Sequence, residues 1–446
     1  MRFVTTSGQA PPASLTWALF DGLAPDGSLY VPERIEEWPP EDIAALPSLS
    51  LADIGRRVLR PYLAGDIDEP TLASIATGAL NFPIPLVEIE PGVHALELFH
   101  GPTLAFKDVA ARVMARIMSA LHDGGDPTTI LVATSGDTGG AVGHAFHDVP
   151  HMRVVILYPQ GRISPTQEAQ LTMFNGDEGS NVRAHALAGS FDDAQGLVKA
   201  VFADAALLRR VRLSSANSIN IGRLLPQMIY YFHAVAQLMR LWRQDASGGT
   251  SRPDAFARPS IFCTPSGNFG NLTAGLMAKR AGLPISSFVA ATNANDVVPI
   301  YLRTGRFEPR PSIQTIANAM DVGNPSNFDR MLWLYGGRHA AMSRDLAGSS
   351  HDDAEVRATI RRVWETRGYL LDPHSAIGYL GVRQQRADAA RVFLATAHPA
   401  KFGEIVEPII GRAIPTPPAL AEALARPPHV LTMERSLSAL KGVLGG

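Results

Sequence analysis

Five of the 40 basic residues are lysines: Lys107, Lys199, Lys279, Lys401 and Lys441. One of them, Lys107, follows the apolar Leu104-Ala105-Phe106, behind a Gly101-Pro102 turn, at the mouth of a helical pattern. Desolvation makes a lysine amine easier to deprotonate, and a neutral amine attacks carbonyl compounds to form an imine. The same placement suits a lysine that runs its stem over apolar surface and pairs with the adjacent Asp108. Spacing alone leaves both readings open.

Two glycine turns could hold anions. In "ATSGDTGGAV" (133–142), Gly136 and Gly139 let the backbone approach a ligand closely, and Thr134, Ser135 and Thr138 supply hydroxyls. The N–H groups of the helix start would then face a negative group. "TPSGNFGN" (264–271) repeats the arrangement, with Gly267 and Gly270 as the permissive positions. Neither fits the dinucleotide pattern G-x-G-x-x-G or ends like a P-loop. A capped helix after a strand would look the same for one turn; two turns plus an apolar lysine point to a cofactor phosphate in one and a substrate carboxylate in the other.

The elements that must position these residues alternate. From about residue 95, "VHALELF", "TTILVAT", "MRVVILYP" and "NVRAHALAG" read as strands separated by helices, with "SFDDAQGLVKAVFAD" an N-capped helix. Later, "SIFCTP", "SSFVAAT" and "RVFLATA" are strands, while "NIGRLLPQMIYYFHAVAQLMRLW" and "LTAGLMAKRAG" are helices. Such alternation predicts an α/β fold with largely parallel sheets. Residues 1–94, rich in proline and turn signals, read as an N-terminal accessory region. Residues 95–215 form a first α/β domain with the lysine and the carboxylate turn, and 216–446 a second with the phosphate turn. Residues 243–260 read as a surface loop.

Composition excludes several classes. A net charge of -2 gives no footprint for nucleic acid or an anionic membrane. No apolar run reaches membrane-spanning length, and the N-terminus lacks a signal-peptide pattern, so a cytoplasmic location is expected. The lone Cys263 cannot form an internal disulfide and reads as a small core residue. His144, His147 and His151 invite a metal, but no carboxylate motif completes a site, and no metal is expected. No G-x-S-x-G elbow supports a hydrolase built on Ser266.

At this point the ordered motifs "HGPTLAFKD", "ATSGDTGGAV", "LYPQGRISPTQ", "NSINIGRLLPQ", "PSGNFGN", "AATNANDVVP" and "TAHPAKF" resemble threonine synthases. These are pyridoxal-phosphate enzymes of the tryptophan-synthase-β-like fold, fold type II. The resemblance extends from about residue 2 to 412. It implies that Lys107 bonds to the aldehyde of pyridoxal 5'-phosphate. Gly267, Asn268, Phe269, Gly270 and Asn271 match the cofactor-phosphate loop, and Thr396 the hydroxyl beside the pyridine nitrogen. Thr134, Ser135, Gly136, Thr138 and Gly139 match the substrate-carboxylate loop. Asp137 stands where many relatives carry Asn near the cofactor, and Asp only accepts unless protonated. Asn217, Ser218, Asn220 and Arg223, with Thr138, match the segment holding the substrate's own phosphate.

The implied reaction is O-phospho-L-homoserine plus water to L-threonine and phosphate, the last step of threonine biosynthesis. The implied partner is this small-molecule substrate, with no nucleic acid or membrane, in a monomer or homodimer. Alternatives are a phospho-lyase that releases 2-oxobutyrate and a non-catalytic binding module of the same fold. His100, His374 and His398 are each candidates for lining the site or for orienting backbone. Lys401 reads as a solvated lysine, with pairing to the substrate phosphate as the alternative. "DVVP" and "NAMDVGNPSNF" are expected to shape the pocket wall.

Overall fold

A computed structural model of the chain describes residues 1–246 and 258–445. Most of the expected 243–260 loop lies outside the described residues. Continuous runs of buried β-branched and apolar residues form strands covered on both faces, the mark of parallel sheets. One such sheet has five strands, all parallel, in the order β13-β7-β6-β5-β8. These are β5 (Thr128–Ala133), β6 (Met152–Pro159), β7 (Val182–Leu187), β8 (Arg212–Ser214) and β13 (Leu431–Met433).

The second sheet has six strands in the order β11-β10-β9-β12-β4-β3. They are β3 (Leu86–Glu90), β4 (Val93–Glu97), β9 (Ser260–Pro265), β10 (Ser287–Thr292), β11 (Leu346–Ser350) and β12 (Ala390–Ala395). Only the edge strand β3 runs antiparallel, as a hairpin with β4. The expected strands appear with shifts of a residue or two at their ends. The expected division at 94 and 215 does not match the sheets. "VHALELF" supplies β4, which pairs with β12 some 300 residues later, and β13 returns to the first sheet.

Two helices bind the parts together. The helix Lys107–Leu121 follows directly from the lysine turn and is buried along most of its length. The expected single helix over 220–242 is broken: Ile221–Leu224 gives way to a 3-10 turn carrying Pro226, then Met228–Ala246 continues. Proline removes an amide donor and clashes with the preceding turn, so the break falls where it sits. The N-terminal region contributes a two-stranded ribbon, β1 (Phe3–Thr5) with β2 (Tyr30–Pro32), and the helices Leu51–Leu63 and Glu69–Ala79. Its apolar residues Ile54, Leu59 and Ile75 share one core with Val109, Val113 and Ile229, so it packs on both binding helices.

Candidate active site

Parallel strands present their following loops at their carboxyl ends, where open α/β sheets bind ligands. Here β5, β9 and β12 each end beside one cavity. Residues 134–138 follow β5, 266–271 follow β9, and Thr396 follows β12. The cavity encloses about 900 Å³ including solvent at its mouth.

Lys107 reaches into it from the first residue of its helix. Its side chain is 13% exposed, and burial lowers its amine to about 8, against the opposing pull of Asp137. Asp108 is not its partner. That carboxylate accepts from the N–H and hydroxyl of Thr103 at 2.9 and 2.6 Å. The ion pair forms instead with Asp137, whose Oδ2 lies 3.7 Å from Lys107 Nζ. Burial opposes ionisation of Asp137, but Lys401 and Lys107 overcome it and hold the carboxyl well below its usual range.

In the first glycine turn, Thr134, Ser135, Asp137 and Thr138 line the cavity. Gly136 and Gly139 stand behind it. Gly136 (φ 128°) would drive a Cβ into Gln167, and Gly139 one into Leu171 and Thr134. Their amides are not free for an anion, because both donate to Thr134 Oγ1 at 3.0 and 2.9 Å. What remains for a ligand is the first-turn amides of Asp137 and Thr138, which have no intrahelical acceptor.

The second turn brings Gly267, Asn268, Phe269, Gly270 and Asn271 to the opposite wall. A Cβ on Gly267 would meet Ala319 O at 2.8 Å and Met320 Cα at 2.9 Å. Phe269 is left-handed (φ 59°), a conformation that costs free energy in a non-glycine residue and clusters at ligand clamps. The helix Gly270–Arg280 starts immediately after it, so its first amides point into the cavity side of the loop. The Asn271 side chain is occupied by Ser266 Oγ, Leu272 N and Pro265 O, which leaves its backbone for a ligand.

Asn217, Ser218 and Arg223 close the third side. Arg223 is 4% exposed, gives Nη1 to Ala216 O at 2.6 Å, and leaves Nε without a hydrogen-bond partner among the described residues. Burial pushes its guanidinium down to about 10. A buried cation with an unused donor is a seat prepared for an anion. Asn220 does not join it. Its amide is spent on Leu19 O and Ser215 O, and its Oδ1 caps the helix at Gly222 N. Its role here is to anchor the segment to the N-terminal region.

Buried Arg330 does the same from behind. It donates to Tyr30 O, Ser218 O, Ile219 O and Asn327 Oδ1, so the N-terminal ribbon fixes Ser218. Sequence reasoning gave no sign of this, since one arginine among 35 carries no label.

The histidines divide. His374 lines the cavity and orients backbone: Nε2 accepts from Ala319 N–H at 3.2 Å, so Nδ1–H donates to Asp372 at 2.8 Å. His398 accepts from Ala400 N–H and caps the turn Pro399–Phe402. His100 pairs with Glu97 at 2.7 Å on an exposed edge. The expected wall segment holds over Asn318–Val322, but "DVVP" instead starts the helix Val297–Thr304 and faces the core. Lys401 is the larger correction: it is fully buried and bonded to Asp137.

The residues present fit pyridoxal phosphate. A desolvated amine faces the cavity, a helix start with a glycine that tolerates no Cβ forms a phosphate cradle, and the buried Thr396 sits near both. Fold and site together define a pyridoxal-phosphate dependent enzyme, and the profile of that family matches residues 82–395. The profiles for the threonine synthase N terminus and the threonine synthase C-terminal region match residues 2–80 and 375–444. The chain belongs to the threonine synthase family. It is 44% identical to threonine synthase of Haemophilus influenzae over 90% of each chain. Threonine synthase of Escherichia coli is 42% identical over 92% of this chain and 91% of its own. The crystal structure of the Escherichia coli enzyme superposes with a TM-score of 0.89 at 38% identity over 99% of each chain. The pyridoxal-phosphate-bound threonine synthase from Brucella melitensis gives 0.90 at 37%, covering 100% of this chain and 99% of that one.

Proposed function

We propose that the protein converts O-phospho-L-homoserine and water to L-threonine and inorganic phosphate. The observation that carries this reading is the buried Arg223 with its free Nε, lining the same cavity as Lys107 and the cofactor-phosphate loop. A substrate that carries its own phosphate would use a buried guanidinium that lines the cavity with a donor to spare.

Pyridoxal phosphate, when bound, supplies an aldehyde that takes up amines and a ring that accepts electrons from the substrate's α carbon. Lys107 would hold the cofactor through its aldehyde; once freed by the substrate amine, its own amine would serve as the base that removes the α proton and then a β proton as phosphate leaves Cγ, and as the acid that returns a proton at Cγ. An amine titrating near 8 is well matched to both tasks. Ser135, Thr138 and the first amides of the helix Asp137–Phe146 bind the substrate carboxylate. Arg223, Asn217 and Ser218 bind the substrate phosphate through charge-assisted hydrogen bonds and retain it after it leaves Cγ. Water adds at Cβ. Thr396, a hydroxyl residue where a carboxylate would favour a protonated ring, suits replacement over transamination. The first α/β unit carries the carboxylate loop and Lys107, the second the cofactor-phosphate loop. The enzyme works in the cytoplasm as a monomer or homodimer; among the described residues no helix is long and apolar enough to cross a membrane.

Incubation of the loaded protein with O-phosphohomoserine tests the assignment. Threonine and phosphate in equal amounts are expected, with Lys107→Ala inactive. Release of 2-oxobutyrate in place of threonine would assign a lyase, and no turnover by the wild type would leave only a binding module.

A further inference from the structure

Lys401 is a buried ion that the chemistry above does not use. Its side chain is 1% exposed, and its Nζ donates to Asp137 Oδ1 and to Thr103 O, each at 2.8 Å. Asp137 divides its two oxygens. Oδ1 takes Lys401 and Gln167 Nε2, the latter at 3.1 Å, while Oδ2 faces Lys107. Three ions therefore stand in a row, amine, carboxylate, amine, with Asp137 in the middle.

Backbone fixes the row from both sheets. The Lys401 carbonyl accepts from Ser164 Oγ at 3.1 Å and Thr166 Oγ1 at 2.7 Å, at the start of the helix Pro165–Thr172. A capping box there pairs Ser164 with Gln167, the residue that reaches Asp137. The turn after β12 is thus sewn to a helix of the five-stranded unit.

We propose that Lys401 is a positioning residue: it holds Asp137 as a carboxylate with one oxygen aimed at Lys107, and with its own charge, opposed to that of Asp137, it tunes the proton affinity of the Lys107 amine. This inference rests on Lys107 being the reactive amine. Few other charged or titratable groups among the described residues face the row. Arg223, from the helix Ile221–Leu224, disfavours a proton on Lys107; His374, from the helix Pro373–Arg383, faces Asp137; Asp108 is turned onto Thr103. After burial, the largest influence on Lys107 is Asp137, which favours its proton, while Lys401 opposes it. The two partners act on one amine with opposite signs.

The test titrates Lys107 in the full-length chain. One readout is the pH dependence of the visible absorption of the cofactor-loaded protein. The other is the pH–rate profile of trinitrobenzenesulfonate labelling at Lys107 in the unloaded chain, located by peptide mapping. Lys401→Gln should raise the midpoint by about one pH unit, the scale of a nearby like charge removed, while Asp137→Asn lowers it by about as much. Lys401→Arg should stay within about half a unit of wild type, since the charge remains. If Lys401→Gln does not fold, the double variant Asp137→Asn/Lys401→Gln replaces the ions with a neutral amide pair, and its midpoint should lie above that of Asp137→Asn. An unchanged or lowered midpoint in Lys401→Gln, or a double variant that matches Asp137→Asn, overturns the proposal. A wild-type Lys107 that titrates like a free lysine would instead count against Lys107 as the reactive amine.

Discussion

Replacing Arg223 by glutamine should make the unliganded protein more stable while weakening its hold on phosphate. Burial pushes the guanidinium well below its ordinary value, down to about 10, a displacement worth about 3 kcal/mol of unfavourable charge burial. The folded-state value lies below the unfolded one, so this penalty is fully present below about pH 10 and relaxes as pH rises above it. Glutamine removes it but also loses the bond to Ala216 O, worth about 1 kcal/mol. The net gain is about 2 kcal/mol, or roughly 2–4 °C for a chain of this size. Inorganic phosphate reverses the ranking. At 100 times its dissociation constant it stabilises a protein by about 2.7 kcal/mol, and only the wild type should respond on that scale. Thermal unfolding at pH 7.5 with and without phosphate reads both effects, and steady-state kinetics should show KM for the phosphorylated substrate raised about 100-fold or more. A variant no more stable than wild type, with the same response to phosphate, would refute the reading of Arg223 as a cation waiting for its anion.

Three further outcomes are expected. In the unloaded chain, labelling of Lys107 by an amine reagent should be half-maximal near pH 8, more than two units below a free lysine, and stability should rise between pH 8 and 10.5 because the unfolded chain holds the extra proton there. Gly267→Ala should lower cofactor affinity about 10-fold or more, measured by spectroscopic titration of the resolved protein, because the added Cβ can be accommodated only by moving the Ala319–Met320 backbone. Asn220→Ala should cost roughly 2–3 kcal/mol in denaturant unfolding, since it removes a helix cap and two buried bonds, and a KM effect without that loss would restore Asn220 to the substrate site.

Lys107 and the two glycine turns could be read from sequence because their chemistry depends on local spacing: an amine at a helix mouth and a glycine run between strand and helix. The turn residues divided in a way spacing does not encode. Gly136 and Gly139 look identical to ligand-binding glycines in the sequence, yet they are glycine because Gln167 and Leu171 pack against them. Lys401 was misread for a related reason. Its partners, Thr103 and Asp137, are more than 260 residues away in the chain; the pairing of β12 with β4 brings up the first, and the contact of the Lys401 carbonyl with Ser164 and Thr166 of the other sheet's unit accompanies the second. The 94 and 215 boundaries follow the alternation of strand and helix, which reports local grammar and not sheet membership. Strand β8, three residues long, carries too short a pattern to register.

The interleaving of the two sheets has a consequence during synthesis. β4 leaves the ribosome early but cannot find its neighbour β12 until most of the chain has followed, and the five-stranded sheet lacks its edge strand β13 until nearly the last residues emerge. Contacts this distant along the chain are slow to form and leave sheet edges exposed while they wait. Until β13 arrives the edge of the five-stranded sheet stays open to aggregation, and a chain cut just before Leu431 would lack a strand from the half of the molecule that was made first.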